Sequence, residues 1–191
     1  MNALKLMLAF SPWLAFWLIS GGHSQARLQI GIFVAAVMVV VMGLAKLHRG
    51  IILWAGVIFF SFALIFVVWL QDLWIIQRLG IFASGTLFLL TLLSMLWGHP
   101  FTESYSREHT PRELWTSPAF IRGNFLVTGA WGLIFLANTL LNLAKFYYPK
   151  ENEWFYRGIE LSFFALGVAF STVYSRSARR KRSKLSASEP C

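Results

Sequence analysis

An all-α, membrane-spanning helix bundle is the fold class that this sequence predicts, on three observations. Apolar runs of about 20 residues, the length that crosses a bilayer core as a helix, recur six times along the chain. Charged residues make up 13% of the 191 positions, about half the share usual in a soluble domain, and the mean hydropathy is +0.61. The charges that remain gather in the breaks between the runs. Backbone groups in lipid must be bonded within their own segment, and no stretch alternates with period two, so the runs read as helices and not as barrel strands.

The first span is expected over about 4–21. Lys5, an apolar stretch and the small residues of "GGHSQA" outline a signal peptide, but Trp13, Trp17 and the length of the run favour a retained helix. Pro12 removes one backbone donor and predicts a kink or a late helix start. The second and third spans are expected over 28–45 and 51–70, parted by Lys46 to Gly50. Gln71 to Arg78 follows, with Asp72 expected near Arg78, and leads into the fourth span, 76–97. The fifth and sixth are placed at 119–144 and 156–174, so residues 1–175 form one six-helix transmembrane domain. Residues 176–191, "RSARRKRSKLSASEPC", are polar and without periodicity and are expected to be a disordered basic tail.

Lys and Arg concentrate in cytoplasmic loops. With both termini in the cytoplasm, Lys5, Lys46, Arg49, Arg107, Arg112, Arg122 and the six basic residues of the tail lie inside. Arg27, Arg78, Lys145, Lys150 and Arg157 lie outside. The sequence therefore predicts both termini cytoplasmic, with the tail drawn to anionic lipid headgroups. The formal net charge of +9 comes from short loops and the tail and not from a basic face on a soluble surface, which excludes nucleic acid as the expected partner. Tyr147, Tyr148, Trp154, Tyr156, Trp69 and Trp74 flank the outer loops and are expected as an interfacial aromatic belt. The single cysteine, Cys191, excludes an internal disulfide and a cysteine-based metal cluster.

The loop "HPFTESYSREHTPRELWTSPAFIRGN", 99–124, is the one long polar stretch inside the chain. Thr110-Pro111-Arg112-Glu113 has the form of a capping box, and Ser117-Pro118 that of a second cap. Glu103 and Arg107 lie four apart, as do Glu108 and Arg112, a spacing that supports helix. The 99–117 segment is therefore expected to hold short amphipathic helix lying on the cytoplasmic membrane surface. His99, Glu103, Tyr105, Glu108 and His109 are acid–base types, with Glu108 and His109 the candidates for a site in the loop. None has a metal-ligand spacing, and no nucleophile motif or glycine-rich phosphate loop is present. No metal, cofactor or catalytic residue is expected.

Two seams run inside the spans. The fifth carries Asn124, Thr128, Trp131, Phe135, Asn138 and Asn142 at spacings of four and three, hence on one helical face. The fourth carries Gly80, Ser84, Leu87, Thr91 and Ser94 on another. Small residues allow close approach and polar side chains bond across helices, so an interhelical contact is expected first and a lined pathway or headgroup pocket second. Glu160, one turn into the sixth span, is a functional candidate because an acidic group in a span is costly. Pairing with Arg157 is the simpler expectation.

The order of features resembles a known family. "FSPWLAFWL" in the first helix, "QDLWIIQRLGIF" before the fourth, "HPF" at the loop entry, "LW" ahead of "SPAFIRGN", and "WGLIFLAN" in the fifth span are similar to the intracellular septation protein A group of small bacterial inner-membrane proteins. The resemblance covers about residues 6–175, and the polar loop departs from it in being longer and richer in Glu–Arg pairs. It implies a multi-pass protein of the bacterial inner membrane, acting in envelope maintenance or septation through protein partners and without catalysis. It carries no catalytic residue over. Envelope or division proteins are the partners it suggests. A second copy of the chain, in a homo-oligomer, is a further expected partner. The alternative from the residues themselves is a small transporter or lipid-handling protein using the two seams and Glu160.

Overall fold

The computed structural model describes residues 3–21, 24–45, 50–108, 110–148 and 153–188. Every regular element among them is helical: α1 (Ala3–Ile19), α2 (Gln25–Leu44), α3 (Ile51–Ala63), α4 (Leu73–Leu96), α5 (Thr102–Arg107), α6 (Pro118–Tyr147) and α7 (Glu153–Ser188). Five helices are long and apolar enough to cross a membrane, α3 counting with its π-helical continuation Leu64–Trp69. α1, at 17 residues, is shorter than the expected 4–21. It is nonetheless central: Phe10, Trp13 and Phe16 are all buried in the core, where Trp13 stacks on Phe59 with centroids 5.0 Å apart.

Pro12 sits inside α1 and the helix starts well before it. Proline cannot donate to the carbonyl four residues back, and the Ser11 hydroxyl takes over that carbonyl, donating to Leu8 O at 2.7 Å. α7 corrects a second expectation. It runs on to Ser188, where the sequence predicts a disordered tail from 176. Residues 176–188 are mostly Arg, Lys, Ala, Ser and Leu with no Gly or Pro, so nothing in them stops a helix.

The six long helices close into a ring in which chain neighbours pack together, α4 packs on α6, and α7 returns to α1. α4 and α6 make the most extensive contact, and they bring the two sequence seams face to face. Gly80 meets Asn142, Gly85 meets Thr139, Thr91 meets Gly132 and Met95 meets Gly129, an antiparallel register that sets the small and hydroxyl residues of one helix against the amides and rings of the other. Mid-bundle, Trp131 is stacked on Phe10 (5.1 Å) and packed against Phe135 (5.5 Å) and Phe164 (5.3 Å), and its indole N–H donates to Ser171 Oγ at 3.0 Å. Large apolar side chains such as Phe33, Ile58, Leu133 and Val173 are turned outward on every face, as a lipid-facing surface requires.

The α1–α2, α3–α4 and α6–α7 connections lie at one end of the bundle, the turn end. The α4–α6 connection with α5 lies at the other, the loop end. α4 closes at the loop end with Gly98 at φ +74, its N–H donating to Met95 O and that of His99 to Ser94 O, both at 3.0 Å. This is a Schellman closure, for which a residue without Cβ is suited. At the turn end Tyr147, Tyr148, Trp154, Trp69 and Trp74 are exposed as a belt would be, whereas Tyr156 is buried. Asp72 caps α4, accepting from Ile75 N at 3.0 Å. Arg78 turns instead to Trp74 and Phe146, its guanidinium 4.5 and 4.4 Å from their ring centres.

Candidate functional site

The two ends treat their polar residues differently. At the loop end the segment expected to hold short amphipathic helix forms α5. It folds back over the bundle, with Phe101, Thr102 and Tyr105 buried. Thr102 Oγ1 lies 2.7 Å from Thr128 Oγ1 and donates to Asn124 O at 3.1 Å. Ser106 donates to Asn124 Oδ1 at 2.7 Å, and Asn124 Nδ2 donates to Phe120 O at 3.0 Å. Phe101 N donates to Ser94 Oγ at 3.2 Å. The seam hydroxyls and amides are the physical reason for the docking: in an apolar bundle they need partners, and α5 brings them.

The rest of the loop follows. Arg107 donates to Glu103 at 2.6 Å, as its spacing predicts. The expected capping box at Thr110 is absent: Arg112–Leu114 is a 3-10 turn preceded by Pro111, with no side-chain cap. The Trp115 indole instead donates to Thr110 O at 2.9 Å, under the Arg107 guanidinium. The second cap forms, Ser117 Oγ accepting from Phe120 N at 3.3 Å. Tyr105 is held neutral, its phenol pushed far above the ordinary range by burial and by the charge of Glu108. Glu108 itself is exposed. His109 lies outside the described residues.

The turn end is open. A cavity of about 700 Å³ enters there between α1, α2, α4, α6 and α7, within the size range of ligand pockets. Its apolar wall comes from Phe16 and Trp17 of α1, Leu28 of α2, and Ile76 and Leu79 of α4. Its polar wall comes from Asn142 and Lys145 of α6 and from Arg157 and Glu160 of α7, with Ser20 and Gln77 at the sides. Glu160 is not held by charge alone: Asn142 Nδ2 donates to its Oε1 at 2.9 Å and also to Asn138 O at 2.9 Å. Asn142 reaches this position because Gly80 faces it, and any Cβ at Gly80 would collide with the Asn142 amide oxygen. Gly21 serves Arg157 in the same way, its Cα lying against the guanidinium. Lys145, Arg157 and Glu160 are each engaged in a polar or ring contact, so none is unpaired. Two cations and one carboxylate leave the wall with a small positive excess.

Of the sequence candidates, Glu160 and Asn142 therefore meet in the cavity, and Asn138 lies one helical turn below it. Asn124 and Thr128 belong to the loop-end network. Lys145 reads only as a loop charge in the sequence, and Arg157 as a loop charge and the expected partner of Glu160. The signal that could place Lys145 in the site is its position three residues after Asn142, on the same helical face. Among the described residues no three His, Cys, Asp or Glu side chains gather as a metal site would need. No family model matches the chain, and neither a curated protein nor a solved structure matches it significantly.

Proposed function

We propose that the chain is a multi-pass protein of the bacterial inner membrane that binds a lipid-like amphiphile with an anionic or zwitterionic headgroup in the turn-end cavity, without catalysing a reaction on it. In this reading six spans place both termini in the cytoplasm, and the cavity opens toward the outer leaflet. The observation that carries it is the cavity's two-sided wall: aromatic and aliphatic side chains on one side, and Lys145, Arg157, Asn142 and Glu160 on the other. An acyl chain suits the first and a phosphate with an adjoining amine or hydroxyl suits the second, because guanidinium and ammonium groups bond phosphate and a carboxylate bonds an amine. Envelope maintenance through protein partners, which the family resemblance implies, draws on no particular residue of the structure, and the cavity ranks ligand binding above it.

The full chain, passed through vesicles of phosphatidylethanolamine and phosphatidylglycerol in equal parts and re-extracted in mild detergent, is expected to retain lipid that native mass spectrometry detects. Ser20→Trp, which fills the cavity, should abolish retention. Glu160→Gln should lower it about tenfold, the equivalent of roughly 1.4 kcal/mol. Equal lipid counts for all three proteins would overturn the binding reading. Orientation is checked separately: a reporter active only in the cytoplasm should work when fused after Cys191 and stay silent after Glu151.

A further inference from the structure

Asn138 is wholly buried, at 0% exposure, and among the described residues neither its Oδ1 nor its Nδ2 has a hydrogen-bond partner. Each such orphaned group costs about 1–3 kcal/mol. Leucine would fill the space without that cost. The contrast with Asn124, whose amide oxygen and nitrogen are both bonded on the same helical face, makes Asn138 the exception on the seam. A buried polar group without a partner calls for a specific explanation, and a bound polar group is the first to test.

We propose that Asn138 and Ser84 form an inner polar subsite beneath the cavity, which takes an uncharged hydrogen-bonding group: a water molecule, or a hydroxyl or amide of the bound amphiphile. The register that sets Gly80 against Asn142 brings Ser84, one turn further along α4, level with Asn138, one turn back along α6. Ser84 is fully buried, and its proton is committed to Gly80 O at 2.9 Å, which leaves the hydroxyl oxygen as an acceptor. Asn138 adds two donors and an acceptor. Together the Ser84 oxygen and the two Asn138 amide atoms supply three polar partners, and an internal water needs two to four.

The way in passes Asn142, which lines the cavity and bonds both Glu160 and the Asn138 carbonyl. Asn142 thus stands between the cavity and the Asn138 turn, its amide held against the bare Gly80. The ligand source of the bonding group rests on the binding function proposed above. The water source does not.

Magnetisation transfer from water to side-chain amides, read on the full chain with ¹⁵N-asparagine in delipidated detergent solution, tests the subsite. Asn138→Leu identifies the Asn138 signal by removing it, and Asn138→Gln does so by shifting it should the leucine variant fail to insert. Transfer to Asn138 is expected. Its loss on adding the phosphatidylethanolamine–phosphatidylglycerol mixture assigns the subsite to the ligand's own group, and its persistence assigns it to water. Absence of transfer together with severalfold lower lipid retention in the Asn138 variant also assigns it to the ligand. Absence of transfer with unchanged lipid retention makes Asn138 a dry core residue and overturns the proposal. If the wild type retains no more lipid than Ser20→Trp, the binding function fails while the transfer measurement still decides the water site.

Discussion

One pair of helices, α4 and α6, carries polar residues to both ends of the bundle, and the ends use them in opposite ways. At the loop end Asn124 and Thr128 are saturated by Thr102 and Ser106 of the docked α5. At the turn end Asn142 reaches across to Glu160 on the wall of an open cavity, and Asn138 has no partner among the described residues. Spacing and chemistry along the two helices are alike. What differs is the cover: at the loop end the α4–α6 connection folds inward, while at the other end the described residues leave a cavity between five helices. A polar seam in a membrane bundle is thus structural where another segment brings it partners. It becomes a candidate site where none of the described residues covers it.

The largest expected effect falls between the two ends. Trp131 and its ring neighbours Phe10, Phe135 and Phe164 form the wall that keeps them apart. Trp131→Ala leaves a void and strands the Ser171 hydroxyl, and should cost about 3–5 kcal/mol, read as a fall in thermal stability in detergent. A loss below about 1 kcal/mol, small for any buried large-to-small change, would mean that the ring cluster is not the shared wall.

A smaller effect separates the ends. Thr102→Val keeps the shape and deletes the hydroxyl that meets Thr128 and Asn124. It should cost about 1–3 kcal/mol, the penalty for leaving buried polar groups unbonded. Lipid retention should stay at the wild-type level, because Thr102 is at the end away from the cavity. Should retention drop together with stability, the two ends are coupled and the contrast between them is misdrawn.

Much of the architecture was legible in the sequence because it is locally written. Run length predicts the long helices, and the four–three spacing of Asn124 to Asn142 and of Gly80 to Ser94 predicts two faces that do meet. What escaped depends on residues far apart in the chain. The docking of Thr102 on Thr128 joins positions 26 residues apart, and no local pattern announces it. The cavity exists only where α1, α2, α4, α6 and α7 come together, so Lys145 reads in the sequence as a loop charge and Arg157 as no more than a partner for Glu160. Glu160 was legible as a candidate, since a carboxylate in an apolar run is costly wherever it ends up. Its bond to Asn142 was not, because Gly80, the residue that makes room for that amide, lies on another helix.

The finest comparison is between the two Ser/Thr-Pro steps within the loop, which look equivalent as sequence. Ser117 caps a 30-residue helix through Phe120 N. Thr110 has only its backbone in use, its N–H donating to Arg107 O at 3.2 Å and its carbonyl accepting from the Trp115 indole, and precedes a single 3-10 turn with no side-chain cap. Ser117→Ala should therefore cost about 1 kcal/mol, the usual value of an N-cap. Thr110→Ala should stay within about 0.5 kcal/mol of wild type, as a surface change away from any cap does, because alanine keeps the carbonyl that Trp115 uses. Both are measurable as shifts in thermal unfolding in the same detergent. A loss at Thr110 as large as at Ser117 would restore the capping box that the sequence suggests. It would then assign the loop's fold to its own punctuation more than to the docking of α5 on the seam.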